Sequence, residues 1–488
     1  MKKISILLII IHISKVYSQS NSLFHFNSSD KDLVLTVDWA INKALSFSHD
    51  NTDPVGYWYE AALPNREAFC VRDVSHQSIG AEILGLRSHN MNMVLKFCEN
   101  ISKSRNYATY WEINRHNKPA PVDYNNDKDF WYNLPANFDL IYAIKRLHNW
   151  TGNDQYINNP VIQNFISLSL NEYVKEWQID SKHALTRNRS MYVQPTNEFY
   201  ENRFGNSRGI PTYYERGNKL SYLGIDLTAS YIAAIKSQIE ILKLQNSDIS
   251  NIDKYVKQLH RELNFLNTFW WDDSQNTYKS IIYQDKTHDF YSIGEDEAFH
   301  HYLLYFDVLE ENKRKFDIIN WYQENQHKLI IELKSYLPIL LYQYGNSEQA
   351  NELLKELCSI KNTRRDYPEI SFTLIEHITR GFMGIDVNQN SIETISRLAQ
   401  NQKWASVKGI PIRGSVIGVK HKGKNKTIFE NSGEKEIRWK VKFEGDYSNI
   451  EVNKNKVRAF KENENGKNIS YAIVSVEPNE KITATALK

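Results

Sequence analysis

The sequence predicts an all-α (α/α)6 barrel, a ring of six helical hairpins, followed by a small C-terminal antiparallel β-sandwich. Between Asp30 and Asp386, apolar residues recur at spacings of three and four in twelve segments, which is the pattern of amphipathic helices. The connections between these segments alternate between long and short. Beyond about position 391 the helical period gives way to a period of two, which is typical of strands.

The twelve helices are predicted near positions 31–48, 73–87, 90–103, 133–149, 154–177, 222–244, 251–270, 295–309, 312–326, 331–344, 347–360 and 369–383. After each even-numbered segment the chain turns within a few residues, as at Thr151-Gly152-Asn153, which favours antiparallel neighbours. The loops before the even-numbered segments are long and rich in aromatic, acidic and Arg residues, except for the short link before the tenth. A closed ring with the even helices inside would therefore gather the long loops and the inner-helix N-termini on one rim.

The two regions are predicted to divide after the last helix. We expect the barrel over residues 30–385 and the β-sandwich over residues 391–488. In the segment 437–443, apolar residues alternate with basic ones, which indicates a strand with one face buried. Similar runs occur at 412–420, 450–460 and 469–476.

Length and charge limit the class of ligand. With 488 residues and 41% hydrophobic content, the chain can bury a large core. A net charge of +2, from 60 basic and 58 acidic residues, provides no broad basic surface for nucleic acid. A mean hydropathy of -0.57 and the lack of a long apolar run argue against a membrane protein. A small or neutral ligand is the better expectation.

The N-terminus predicts secretion or a periplasmic location. Lys2 and Lys3 precede a mostly apolar run over residues 4–13, and Val16 and Ser18 offer small side chains at a spacing that suits signal-peptide cleavage. We therefore predict a signal peptide over residues 1–18. Its apolar run is too short to span a bilayer as an anchor.

The cysteines predict neither a disulfide framework nor a metal site. There are three of them, Cys70, Cys98 and Cys358, so at least one is unpaired, and no His, Cys or Asp cluster has a metal-ligand spacing. We interpret all three as small buried side chains. No metal and no cofactor are predicted.

The predicted rim is rich in carboxylates, which are Asp73, Asp139, Glu198, Glu201, Glu215, Glu295, Asp296, Glu297 and Glu369. Acidic residues in a first helical turn also stabilise the helix dipole, so Asp73 and Glu369 could be explained without a function. Glu198 lies in a loop well ahead of the next helix and escapes that explanation. Cleaving a glycosidic bond requires one carboxylic acid and one carboxylate, and the loop Trp and Tyr residues could stack on sugar rings. The predicted substrate is therefore an oligosaccharide or polysaccharide.

Three short stretches resemble the six-hairpin glycosidases, the superfamily of glucoamylases, family 65 disaccharide phosphorylases and α-L-rhamnosidases. Residues 69–73, Phe-Cys-Val-Arg-Asp, resemble the Trp-x-Arg-Asp of glucoamylase-like members but lack the Trp. Residues 197–202, Asn-Glu-Phe-Tyr-Glu-Asn, resemble the phosphorylases' Asp-Glu-Tyr-His-Glu-Asn, although Asn stands in place of the first Asp. Residues 367–385 resemble the last inner helix and its exit into a C-terminal sandwich.

The resemblance implies the roles of the site residues. The Arg-Asp pair, here Arg72 and Asp73, would hold sugar hydroxyls; Glu198 would be the general acid, and Glu369 would be the general base. An inverting, exo-acting hydrolase is expected, with the two carboxyl groups roughly 6.5 to 9.5 Å apart to admit a water. Further predicted substrate-binding residues are His76, Trp131, Glu201, Tyr213, Glu295 and Glu297, of which Glu295 and Glu297 are also reserve candidates for the base.

Three alternatives remain open. A phosphorylase would use phosphate in place of the base, but a carboxylate at Glu369 would repel that anion. A uronate-active hydrolase or lyase would need cationic groups, for which the candidates are Arg187, Arg189, Arg203, Arg208, Arg216 and His288. A lyase could further use His76 with Tyr213 as its base. A secreted, non-catalytic glycan-binding protein would keep the aromatic residues and tolerate the loss of Glu198.

Overall fold

The helices occupy most of the first 385 residues. The structure is a computed structural model that describes residues 24–189, 209–213, 221–290, 299–388 and 391–487. Its α-helices are α1 (Lys31–Ser46), α2 (Val71–Ile83), α3 (Arg87–Glu99), α4 (Ala136–Thr151), α5 (Gln155–Asn158), α6 (Pro160–Leu168), α7 (Val174–Trp177), α8 (Ile225–Leu244), α9 (Ile249–Phe265), α10 (His301–Tyr305), α11 (Asn312–Asn325), α12 (Ile331–Lys334), α13 (Leu337–Tyr344), α14 (Ser347–Leu357) and α15 (Pro368–Glu376). Single π-helical turns continue α6, α9 and α15, over Ser169–Tyr173, Leu266–Trp270 and His377–Phe382 respectively.

Six helices form a closed cycle of contacts. Helix α2 packs on α4, α4 on α8, α8 on α10 and α10 on α13; α13 then meets the π-helical turn after α15, and α15 packs on α2. These helices match the even-numbered predicted segments, and nearly all of their described residues are buried. Helices α1, α3, α9, α11 and α14 pack against members of this cycle, and α6 packs against α3. The burial of α1 fits a position outside the cycle, because this helix buries only one stripe of residues, Leu33, Val37, Ala40 and Ala44.

The strands are concentrated after α15. They are β1 (His25–Ser28), β2 (Ser48–His49), β3 (Trp58–Tyr59), β4 (Ala68–Cys70), β5 (Glu112–Asn114), β6 (Tyr124–Asn126), β7 (Asp129–Phe130), β8 (Ser221–Gly224), β9 (Trp271–Asp272), β10 (Thr277–Tyr278), β11 (Ile281–Tyr283), β12 (His288–Asp289), β13 (Asp386–Asn388), β14 (Ser391–Ile395), β15 (Trp404–Ile412), β16 (Ser415–Lys422), β17 (Lys426–Asn431), β18 (Ile437–Glu444), β19 (Asn449–Val452), β20 (Asn455–Arg458), β21 (Phe460–Glu464), β22 (Lys467–Val476) and β23 (Lys481–Leu487). The short strands β2 to β12 form small sheets in the loops between helices.

The C-terminal strands form two sheets that pack face to face. One has the order β1-β15-β16-β17-β23-β19-β20, and the other has the order β13-β14-β18-β22-β21. Phe429 of the first sheet stacks on Trp439 of the second, with ring centroids 4.9 Å apart. The pairing is antiparallel except that β14 and β18 run parallel. The outward side of β18 also departs from expectation, because Lys442 is buried in ion pairs with Glu393 and Glu464.

Strand β1 joins the first C-terminal sheet from the other end of the chain. It pairs antiparallel with β15, with Phe26 opposite Val407. The four residues His-Phe-Asn-Ser carry too little alternating pattern to predict a strand, and the predicted barrel therefore begins later, at residue 30. The sandwich is thus completed by residues outside the range 391–488.

A close approach of α2 and α15 sets the geometry of the site. A Cβ atom at Gly80 would lie 1.9 Å from the backbone carbonyl oxygen of Phe372, so only glycine permits this crossing. One turn nearer the N-terminus of each helix, the facing residues are His76 and Glu369. The crossing therefore brings these two side chains into contact.

The three cysteines are buried and unpaired, in agreement with their interpretation as small core side chains. No helix within the described ranges combines the length and apolar character that crossing a membrane would require.

Candidate active site

The first turns of the inner helices carry buried acidic side chains. Asp73 on α2, Asp139 on α4, Asp226 on α8 and Glu369 on α15 are each at most 5% exposed. The guanidinium of Arg72, at the start of α2, interacts electrostatically with Asp73, Asp139 and Glu369. Three of the four carboxyl groups therefore surround one cation.

Glu369 is held through one of its two carboxyl oxygens. The Nδ1 atom of His76 lies 2.5 Å from Oε1, and the Ser335 hydroxyl donates to the same oxygen at 3.1 Å. The His76 ring stacks on the Tyr336 ring, with centroids 3.6 Å apart and planes 4° from parallel. Oε2 is buried, and no described residue hydrogen-bonds it. The side chain is fixed in place, with one oxygen left for another partner.

The protonation of Glu369 is balanced near neutrality. Burial raises the pKa of its carboxyl group to about 7, against the favourable charge of Arg72. Burial also holds the pKa of His76 well below its ordinary value, so the imidazole is neutral. The neutral ring can then donate its Nδ1 proton to the ionised carboxylate.

Asp139 has a similar arrangement with Tyr213. The Tyr213 hydroxyl donates to Oδ2 of Asp139 in a short hydrogen bond, whereas Oδ1 is buried and has no partner among the described residues. Burial raises the pKa of Asp139 to about 8. Asp226 fixes the backbone here, because its carboxylate accepts from the amide N–H of Tyr213 at 2.6 Å and from the Thr212 hydroxyl at 2.9 Å.

Asp73 and Glu369 oppose each other's ionisation. Tyr367 donates its hydroxyl to Oδ2 of Asp73 at 3.3 Å. Burial, and then the negative charge of Glu369, raises the pKa of Asp73 to about 8. When Glu369 is ionised, Asp73 therefore tends to keep its proton.

Several solved structures have a fold similar to that of this chain. The chain aligns with an α-L-rhamnosidase from Dictyoglumus thermophilum at a TM-score of 0.61 and 12% identity, covering 96% of this chain and 50% of that one. For a Streptomyces avermitilis α-L-rhamnosidase complexed with L-rhamnose, the TM-score is 0.59 and the identity 10%, with 95% and 42% of the chains covered. For a protein described as a kojibiose phosphorylase from the human microbiome, the TM-score is 0.53 and the identity 12%, with 93% of this chain and 60% of that one covered.

The chain has the six-hairpin glycosidase fold. It spans about half the length of the rhamnosidases that it matches. No protein-family model matches the sequence, and no curated protein is similar to it at a significant level. The resemblance inferred from the motifs is therefore confirmed for the fold.

Five of the predicted site residues meet in this six-hairpin fold. They are Arg72, Asp73, His76, Tyr213 and Glu369, joined by the contacts given above. Their roles toward a substrate stay predictions. The guanidinium of Arg72 lies 4.9 Å from the Tyr213 ring centroid, and its buried Nε has no partner among the described residues.

Of the other predicted site residues, one is buried and four lie outside the described part of the chain. Trp131 is only 1% exposed and donates its indole N–H to Asn133, so little of its surface is available to a substrate. Glu198, Glu201, Glu295 and Glu297 lie outside the described residues, so their assignments stay predictions.

Two functional candidates had no sequence signal of their own. Tyr336 and Ser335 contact the His76 and Glu369 pair but follow α12 in an unremarkable stretch. Asp139 had a weak signal, since it is an acidic residue in the first turn of an inner helix, as Asp73 and Glu369 are. Its hydrogen bond to Tyr213 depends on the tertiary fold and has no counterpart in the sequence.

The structure bears on the uronate and lyase alternatives. Arg187 donates to the backbone carbonyl of Tyr222 at 2.6 Å, and Arg189 lies 3.7 Å from the Trp177 ring centroid. Both guanidinium groups are thus engaged by neighbouring parts of the protein. Burial raises the pKa of Tyr213 far above its ordinary value, and its hydroxyl is already bonded to Asp139. A phenolate base at Tyr213 is therefore disfavoured.

Proposed function

We propose that this chain is a glycoside hydrolase that cleaves a glycosidic bond in an oligosaccharide or polysaccharide with inversion of configuration. One observation carries the proposal. Glu369 and Asp139 are buried carboxyl groups, each with one oxygen held by the protein and the other without a described partner. A buried oxygen without a hydrogen bond is costly, and such groups are retained where a ligand supplies the missing partner.

The fold supports the same class of enzyme. We interpret the closed cycle of six helices as an (α/α)6 barrel over residues 30–385. The β-sandwich predicted over residues 391–488, completed by β1 and β13, packs beside it. Proteins described as α-L-rhamnosidases have a similar fold at low identity. A signal peptide over residues 1–18, and with it secretion or a periplasmic location, also belongs to the proposal.

Glu369 would act as the general base. A pKa of about 7 leaves a large fraction of the carboxylate ionised near neutral pH while keeping it basic enough to accept a proton. His76 and Ser335 hold Oε1, so Oε2 would take the proton of the attacking water. The water oxygen bonds to the anomeric carbon as the bond to the departing oxygen breaks.

The departing oxygen needs a proton from a second carboxyl group. The motif at residues 197–202 assigns this role to Glu198. The resemblance also assigns Arg72 and Asp73 to sugar hydroxyls. The buried Nε of Arg72 has no hydrogen-bond partner among the described residues, which is consistent with a ligand contact. The long loops on this rim favour a pocket, and hence exo action.

Hydrolysis is favoured over phosphorolysis by charge. A phosphate placed for attack would lie against Glu369, whose carboxylate is stabilised by the charge of Arg72 and interacts repulsively with Glu332. A second anion there would be repelled by the ionised base, whereas a neutral water would not be.

The proposal is tested by a screen of the purified protein on aryl glycosides, α-L-rhamnosides included, and on plant and algal oligosaccharides. Proton NMR of the first-formed sugar should show inverted configuration, and Glu369→Gln should abolish its release. Glu82→Gln is the matched control, because Glu82 is another buried carboxylate, at the far end of α2, where it bonds Arg87 and Asn90. Full turnover in Glu369→Gln, or a retained configuration, would refute the mechanism.

A further inference from the structure

Asp139 and Glu369 flank the same helix from opposite sides. Helix α4, which carries Asp139, packs on one side of α2, and α15, which carries Glu369, packs on the other. Arg72 at the start of α2 interacts with both carboxyl groups. A sugar bound over the N-terminus of α2 would therefore have one carboxyl group on each side, as inversion requires.

The orientation of Asp139 is fixed independently of any substrate. Tyr213 holds Oδ2 through its hydroxyl, and the Tyr213 backbone is itself bonded to Asp226. The face of the Tyr213 ring lies against the Arg72 guanidinium. The remaining oxygen, Oδ1, is the atom that can carry a proton toward a ligand.

The environment keeps that proton on Asp139. Burial is the largest cause of its raised pKa of about 8, and it outweighs the opposing effects of the Tyr213 hydrogen bond and the Arg72 charge. Burial also raises the pKa of Glu369, to about 7, whereas the charge of Arg72 and the hydrogen bond from Ser335 favour its ionised form. A neutral acid opposite a partly ionised base is the distribution of protons that glycoside hydrolysis needs.

Asp73 fits the role less well. It lies on α2 beside Arg72, and its pKa is raised by burial and then by the negative charge of Glu369. The ionisation of Asp73 is therefore coupled to that of Glu369. Its Oδ2 accepts from Tyr367, and neither of its oxygens is buried without a partner.

We infer that Asp139 is the proton donor to the departing glycosidic oxygen, in place of Glu198. The inference rests on the proposed function. In the step, the proton on Oδ1 moves to the departing oxygen as the bond from the anomeric carbon breaks, while Glu369 takes a proton from the attacking water. Exchange with solvent then returns the proton from Glu369 to Asp139.

The experiment compares two substrates that share one sugar, chosen from the screen: an alkyl glycoside, whose departing oxygen must be protonated, and a 2,4-dinitrophenyl glycoside, whose departing oxygen needs no proton. Asp139→Asn should lower kcat/KM for the alkyl glycoside by about 10²- to 10⁴-fold and for the dinitrophenyl glycoside by less than about tenfold. Glu198→Gln should affect both substrates by the same factor. The reverse pattern, or equal losses in Asp139→Asn, would overturn the inference.

A second variant covers the case in which Asp139→Asn folds poorly. The hydrogen bond from Tyr213 lowers the pKa of Asp139, so Tyr213→Phe should move the alkaline limb of the kcat/KM profile to higher pH. An alkaline limb at the wild-type position would count against Asp139. If the wild-type protein hydrolyses no glycoside, the proposed function fails; if it does and these signatures are missing, only the inference about Asp139 fails.

Discussion

Replacing His76 by Phe tests how the protein sets the protonation of Glu369. The aromatic ring can keep its stack on Tyr336, 3.6 Å away, but it loses the 2.5 Å contact from Nδ1 to the carboxylate. A hydrogen bond to a charged group is worth about 1.5 to 3 kcal/mol. At about 1.4 kcal/mol per pKa unit, the pKa of Glu369 should rise by roughly one to two units.

The expected loss of activity follows from the fraction of ionised base. From a starting pKa of about 7, the shift would lower that fraction at pH 7 from about one half to between about one tenth and one hundredth. The value of kcat/KM at pH 7 should therefore fall roughly 5- to 50-fold and recover as the pH is raised. The assay is the pH profile of kcat/KM, and the readout is the position of the acid limb.

Two further variants make the measurement specific. Ser335→Ala removes a neutral hydrogen bond to the same oxygen and should move the acid limb in the same direction by about one unit or less. His421→Gln alters another buried histidine, in the β-sandwich, which bonds Thr427 and Met383, and it should leave the limb in place. An unshifted limb in His76→Phe, or an equal loss at every pH, would refute the reasoning.

Three other predictions concern stability. Gly80→Ala should lower the free energy of unfolding, measured in urea, by at least about 1 to 3 kcal/mol, because its Cβ would lie 1.9 Å from a backbone oxygen. Gly418→Ala is the control, because the nearest atom to its Cβ would be 3.5 Å away. Equal effects of the two substitutions would contradict the close crossing. Folding raises the pKa of Asp139 from 3.8 to about 8, so ionisation of this residue in the unfolded chain destabilises the wild type progressively as the pH rises between those values. The difference in Tm between Asp139→Asn and the wild type should therefore increase in favour of the variant over that interval. A constant difference would argue against a buried neutral acid. Glu376→Gln should lower the free energy of unfolding, measured in urea, by about 3 to 5 kcal/mol, because Glu376 is only 3% exposed and neutralises Arg146 and Arg380. A loss below about 1 kcal/mol would show that these arginines need no such partner.

The helices were predictable because burial imposes a period on the sequence, but their interruptions were not. A single helix was predicted over residues 331–344, whereas α12 ends at Lys334 and α13 begins at Leu337. Pro338 lies in the first turn of α13, where its missing N–H is tolerated; inside a continuous helix it would remove a hydrogen bond. The interruption places Ser335 and Tyr336 against Glu369 and His76.

The site was predictable where a short motif carried it. Arg72 and Asp73 are adjacent in sequence, and Glu369 opens a recognisable last helix, so local patterns located all three. The contact between His76 and Glu369 joins residues 293 positions apart, and it depends on the crossing of two helices at Gly80. No local pattern encodes that contact, nor the bond of Tyr213 to Asp139.

Strand β1 has a consequence for how the chain folds. The Ser28 hydroxyl donates to the backbone carbonyl of Trp404, 376 residues later, so this edge of the sandwich cannot be completed until β15 has been synthesised. Asp30, two residues on, caps α1 and also bonds Lys355 and Gln402. The start of α1 is thus secured only when the late strands arrive, which couples the two regions kinetically and should make folding slow. Removing β1 should therefore leave β15 without its edge partner, and removing β15 should leave β1 without its own.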